Sequence, residues 1–117
     1  MINLELFSTL PLEKWIDQEL KVAAEGGVPI IASVVADPEP SNTAKVAKKV
    51  EVPIIGCGGI ASANDALEFI MAGASAVEVG TTQFVNPRAL LDVVDGIEDF
   101  MRRQGVKDIS ELIGAVR

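Results

Sequence analysis

The chain has 117 residues, a formal net charge of -7, no histidine and one cysteine, with 49% hydrophobic and only 4% aromatic residues. That is enough chain for one domain with its own core, but far less than the roughly 250 residues of a complete (β/α)8 barrel. Scarce, scattered basic residues exclude a nucleic-acid phosphate footprint, and the single Cys57 excludes an internal disulfide.

In chain order, Ile2, Leu4 and Leu6 alternate with Asn3 and Glu5, which predicts a short strand. Ser8 or Thr9 with Pro11 then opens a helix whose one face carries Leu12, Trp15, Ile16, Leu20 and Ala23, and Gly26 and Gly27 end it. Trp15 reads as core packing on that stripe. The opening MINLELF has no basic n-region and no long apolar h-region, so a reducing cytoplasm is the expected location. Apolar runs such as Val28 to Val35 are of strand length, well short of the roughly 20 residues that cross a bilayer.

A spacing then organises the chain. Val28-Pro29-Ile30-Ile31 returns as Val52-Pro53-Ile54-Ile55, and a further β-branched run starts at Ala76, each 24 residues on. Such runs, each followed by turn residues and an amphipathic segment, predict successive βα units with strands buried on both faces. The first has a strand at 28–36, the loop Pro38-Glu39-Pro40, and a helix capped by Ser41 or Asn42 with Val46, Ala47 and Val50 turned inward. The second has a strand at 52–56, the turn Gly56-Cys57-Gly58-Gly59, and a helix from about Ser62 with Leu67, Ile70 and Met71 on one stripe, stopped at Gly73. The third has a strand at 76–80, then Thr81 and Thr82, an Asn86-Pro87 helix start, and a stripe of Leu90, Leu91, Val94, Ile97 and Met101 reaching Gly105. Asp108-Ile109-Ser110-Glu111 resembles a capping box opening a last short helix. The expected fold is α/β: a partial (β/α)8 (TIM) barrel of three to four parallel strands with helices outside, forming one domain with units at 1–51 and 52–117. Free strand edges and an uncovered inner face predict that the chain forms a homo-oligomer, two arcs supplying roughly six to eight strands.

In parallel α/β folds ligands collect at the carboxyl ends of strands. Gly58-Gly59 and Gly80-Thr81 occupy equivalent places after consecutive strands, so their main-chain amides, helped by the helix opening near Ser62, can cradle one phosphate. Cys57 reads as a small buried residue, Asn64 as part of a helix cap, and Glu68, Asp92, Asp95, Glu98 and Asp99 as solvated faces. Glu78, between Val77 and Val79, should point away from them, to the barrel interior or an edge.

The run IIGCGGIASANDALEFIMAGASAVEVGTTQFVNPRALLDVVDGIEDFMRRQGVKDISELIG resembles the last two strands and closing helices of the dihydroorotate dehydrogenase family, above all its NAD-linked heteromeric branch. Gly-Gly-Ile, Ala-Gly-Ala-Ser-Ala-Val, Val-Gly-Thr and Ile-Ser-Glu-Leu occur in the family's order. The resemblance implies an FMN-dependent oxidoreductase of pyrimidine biosynthesis acting on a dihydropyrimidine. It implies too that Gly58, Gly59, Gly80 and Thr81 hold the FMN phosphate through backbone amides. The family pattern also calls for about four further βα units between Val50 and Val52, the part that carries its base, lysine and asparagines. These are absent, so no catalytic residue is assigned and little or no turnover is expected of this chain alone. A non-catalytic phosphate-binding or assembly fragment of a barrel is the alternative, and phosphate-binding barrels of tryptophan or histidine synthesis share the same grip.

Overall fold

Local capping chemistry marks where the helix at 63–72 and the short helix at 109–112 begin. The computed structural model describes Lys14, Asp17, Gln18, Glu25 and residues 40–116. By its internal contacts the chain divides into two units, Met1–Ala36 and Asp37–Arg117, and all the elements below belong to the second. The predicted strands at 2–6 and 28–36, and the helix carrying Trp15 apart from Lys14, Asp17 and Gln18, lie outside the described residues.

In order the elements are α1 (Pro40–Ala47), β1 (Ile55–Cys57), α2 (Ala63–Ala72), β2 (Ala76–Glu78), α3 (Thr82–Val85), α4 (Ala89–Gln104) and a 3-10 helix at Ile109–Leu112. Helix α1 starts one or two residues before the predicted caps: Pro40 lies inside its first turn, where a fixed φ and a missing N–H carry no penalty. Its inward face is as expected, with Ala47 buried and Val46 and Val50 half-buried.

Strands β1 and β2 pair in parallel, with Ile55 beside Ala76, Gly56 beside Val77 and Cys57 beside Glu78, and α2 is the crossover between them. One face of this pair is covered. Gly56 is buried because Phe69 of α2 lies directly on it: a Cβ there would meet the Phe69 ring at 2.8 Å. Residues alternate across a strand, so Ile55 and Cys57 turn to the other, open face, as do Ala76 and Glu78. Cys57 is therefore exposed, contrary to the expectation of a buried thiol. The strand runs one residue further toward the turn than predicted, and Gly56, not Cys57, fills the packed position.

The core lies between the sheet and helices α2 and α4. Ile60, Ala66, Phe69, Ala74, Val79, Ala89 and Val93 form one buried cluster. Leu67, Ile70 and Leu112 form a second, with Phe100, Met101, Ile109 and Ile113 half-buried around it. Close approach of the two helices depends on Gly96, where an added Cβ would lie 2.5 Å from that of Ala63. Helix α4 opens from a turn at Asn86, whose backbone is extended as the residue before a proline must be. The Asn86 side-chain oxygen accepts from the Arg88 N–H at 3.0 Å, and its amide donates to Asp92 at 2.8 Å. Of the predicted α4 stripe, Ile97 and Met101 are half-buried and Leu90, Leu91 and Val94 are exposed, while the buried residues of the helix are Ala89 and Val93, outside that stripe. The smaller Ala89 and Val93 take the side of the helix that packs with Ala66 and Phe69 of α2. Gly73 and Gly105 close α2 and α4 as expected. The chain end then returns to α2, where the N–H groups of Gly114 and Val116 donate to the carbonyls of Ile70 (3.0 Å) and Met71 (3.2 Å).

Candidate functional site

The two glycine-bearing turns meet. Gly58, Gly59, Gly80 and Thr81 line one cavity of about 170 Å³ at the carboxyl ends of β1 and β2, together with Cys57, Ile60, Glu78 and Thr82. Parallel pairing explains this, since it sets both strand ends side by side and sends both following loops out of the same edge of the sheet.

The turns are built differently. Gly58 (φ 103°) and Gly59 (φ 72°) both take positive φ, which lets the chain fold back over the end of β1 into α2. Gly80 takes no such conformation and has open space where a side chain would start, with nothing within 4 Å of an added Cβ. Its lack of a side chain leaves room in the cavity instead of permitting a bend. Thr81 begins the turn that becomes α3. Among the described residues, the N–H groups of Gly59, Gly80 and Thr81 have no protein acceptor.

A residue outside the predicted set ties the turns together: the Thr82 hydroxyl donates to the Ile60 carbonyl at 2.9 Å. The adjacent Gln83 side chain donates to the carbonyl of Val79 at 2.8 Å. A second hydroxyl immediately after the Gly-Thr pair was the available signal for Thr82.

The opening of α2 departs from expectation. Ser62 caps it, and Asp65 completes a capping box, its carboxylate accepting from the N–H of Ala61 (3.0 Å), the N–H of Ser62 (2.8 Å) and the Ser62 hydroxyl (2.9 Å). The Ala61 N–H, then the Ser62 hydroxyl, hold the Asp65 carboxyl below its usual range; burial opposes them, and the Ser62 N–H adds the least. The chain's own carboxylate already stands at this positive helix end, so an anion in the cavity is left mainly to the two turns. Asn64 takes no part in the cap, which is made by Ser62 and Asp65.

Cys57 and Glu78 stand side by side on the open face as cross-strand partners. Partial burial, and after it the neighbouring Glu78 carboxylate, push the Cys57 thiol above its usual range, so at neutral pH it stays protonated. Among the described residues lining the cavity, Glu78 is then the one charged side chain. Glu68, Asp92, Asp95, Glu98 and Asp99 are exposed, Asp92 pairing with Arg88 and Asp99 with Arg102 and Arg103. Among the described residues no group of three or more acidic or cysteine side chains could hold a metal ion.

Two parallel strands joined through a crossover helix, with glycine turns side by side at their carboxyl ends, are part of a (β/α)8 barrel. The dihydroorotate dehydrogenase family model matches residues 15–101. The chain belongs to the dihydroorotate dehydrogenase family. It is 60% identical over 72 residues to the catalytic subunit of dihydroorotate dehydrogenase B (NAD(+)) from Porphyromonas gingivalis, which covers 62% of this chain and 24% of that protein. The corresponding subunit from Lachnoclostridium phytofermentans is 58% identical over 73 residues, again 62% and 24% of the two chains. This chain therefore spans about a quarter of the length of the curated relatives it matches.

Among solved structures, DHODH from Eimeria tenella in complex with ferulenol superposes with a TM-score of 0.56 at 30% identity, over 68% of this chain and 23% of that one. The ligand-free form from the same organism reaches a TM-score of 0.70 at 24% identity over 94% of this chain and 38% of that one, a likeness of fold. The family is FMN-dependent. Among the described residues, no helix is long and apolar enough to cross a membrane.

Proposed function

We propose that the cavity between the two turns is the phosphate grip of an FMN site, and that the chain is the cofactor-gripping end of a dihydroorotate dehydrogenase-type oxidoreductase of pyrimidine biosynthesis in the cytoplasm. The observation that carries this reading is the convergence of Gly58, Gly59, Gly80 and Thr81 on one cavity. The donor set fits the group. Main-chain N–H groups without acceptors among the described residues and the Thr81 hydroxyl suit phosphate oxygens, and the empty volume beside Gly80 leaves the close approach that a side chain would block. When bound, the flavin would supply hydride and electron transfer with the dihydropyrimidine substrate, while this chain's residues hold and orient its phosphate end.

None of the cavity-lining residues is assigned as the base that such an oxidation needs. Cys57 is held protonated beside Glu78, and a carboxylate on the wall of an anion cavity is poorly placed to abstract a proton from a neutral ring held elsewhere. The isolated chain is therefore expected to bind without turnover, and a non-catalytic phosphate-binding or assembly fragment is the second reading, favoured by a cavity whose described lining offers amides and no assigned base. The exposed Ile55, Phe84, Val85, Leu90, Leu91 and Val94 support a homo-oligomer that covers this apolar surface and completes the sheet.

Purification followed by titration with FMN and with inorganic phosphate, read by flavin fluorescence and by amide NMR shifts, tests the reading. Binding of both, with the amides of Gly59 and Gly80 moving most, is the expected result. No binding of either would overturn it. Size-exclusion chromatography tests the assembly, and a monomer at every concentration would refute it.

A further inference from the structure

The cavity contains an apparent contradiction. Its floor offers main-chain N–H groups to an anion, yet among the described residues the one charged side chain on its wall is the carboxylate of Glu78, with no lysine or arginine. Cross-strand pairing fixes this arrangement: Glu78 is the last residue of β2, its side chain is on the open face, and Cys57 is its partner on β1. A bare anion entering the cavity approaches a like charge in a partly enclosed space, which weakens its binding. A carboxylate also has strong unfilled acceptor capacity, which a ligand donor can use. The neighbouring Cys57 thiol, kept protonated, brings one weak donor and no compensating charge.

Resting on the phosphate reading, we infer that Glu78 is a specificity-determining residue: it disfavours free phosphate and polyphosphates and selects a phosphate monoester that carries hydroxyl groups close to its phosphate, one of which donates to the Glu78 carboxylate. The main-chain amides of the two turns hold the phosphate, and Glu78 reads the adjoining carbon chain. The two roles separate chemically, because the repulsion needs only charge whereas selection of a hydroxyl needs an acceptor.

The experiment compares inorganic phosphate, ethyl phosphate and glycerol 3-phosphate on the full chain at one pH and low salt, by calorimetry and by the NMR shifts of the Gly59 and Gly80 amides. The wild-type chain should prefer glycerol 3-phosphate to ethyl phosphate by roughly tenfold, the worth of one charge-assisted hydrogen bond. Glu78→Gln removes the charge but keeps an acceptor, so it should bind inorganic phosphate roughly tenfold more tightly while retaining part of the preference for the hydroxylated ester. Glu78→Leu should gain the same for inorganic phosphate and lose the preference. Glu78 is exposed and lies outside the buried clusters, so both variants should fold, which thermal melting verifies. If the wild-type chain binds these anions at the two turns and neither variant changes affinity or preference, the role of Glu78 is refuted while the phosphate site stands. If neither the wild-type chain nor Glu78→Gln binds any of them, the site itself is refuted, and this inference with it.

Discussion

The two turns that line the cavity look alike in sequence and differ in what their glycines do. After β1, Gly58 and Gly59 supply positive φ, and the helix that follows is closed by its own capping box at Ser62 and Asp65. After β2, Gly80 supplies only space, and the short α3 that follows has no side-chain cap. A glycine needed for conformation couples binding to folding, whereas a glycine needed for room affects binding alone.

Substitutions can break that contrast. Gly58→Ala should have the largest effect on the fold, about 1–3 kcal/mol lost in urea denaturation, because φ of 103° is strained for any residue with a Cβ. Equal stability to wild type would show that the first turn relaxes freely. Asp65→Ala should cost about 1 kcal/mol through loss of the capping box. Thr82→Val, nearly the same size, should cost about 1 kcal/mol or less by removing the hydrogen bond to Ile60, and should broaden the Gly59 and Gly80 amide resonances as the turns separate. Gly80→Ala should be near zero in stability yet weaken phosphate binding by roughly tenfold, since its methyl group enters open cavity space. A stable Gly80→Ala that binds phosphate as the parent does would end the distinction drawn between the turns.

Acid sharpens the same comparison. The Asp65 carboxyl is held below its ordinary value by the Ala61 and Ser62 donors, so between the folded and unfolded pKa values the unfolded chain binds more protons. The stability this provides is fully present above the unfolded value and is lost as pH falls through the folded one. Urea midpoints measured from about pH 6 to about pH 3 should therefore fall more steeply for the parent chain than for Asp65→Asn. Identical slopes would show that the box contributes nothing to the first turn.

Much of this was legible in the sequence, for physical reasons. The 24-residue spacing marked where strands recur, and Val52-Pro53-Ile54-Ile55 and Ala76 onward do lead into β1 and β2. Ser62, Gly73, Gly105 and Asp108 marked helix ends because capping is local chemistry. What failed was set by contacts distant in sequence. Cys57 is exposed because Phe69 claims Gly56, which fixes the parity of β1, and an alternation count started from Gly56 would have found it. Leu90 and Leu91 looked like core until Ala63 and Gly96 fixed the side on which α2 and α4 touch. The positive end of α2 is closed, because Ser62 and Asp65, three residues apart, satisfy each other's backbone N–H. The four predicted site residues share one cavity; strand alternation turns Glu78 away from Val77 and Val79 as expected, and the register of the two strands sets it on the cavity wall, where Thr82 joins the turns.

The return of the chain end to α2 ties its two termini into one mechanical unit. Gly114 and Val116 fasten the carbonyls of Ile70 and Met71, while the same helix begins at the turn that holds Gly58 and Gly59. A strap at the far end thus steadies the near one. Deuterium uptake at the Gly114 and Val116 amides should keep pace with uptake along α2, and clipping after Leu112 should be felt at the glycine turn as slackness, although residues 113–116 do not line the cavity.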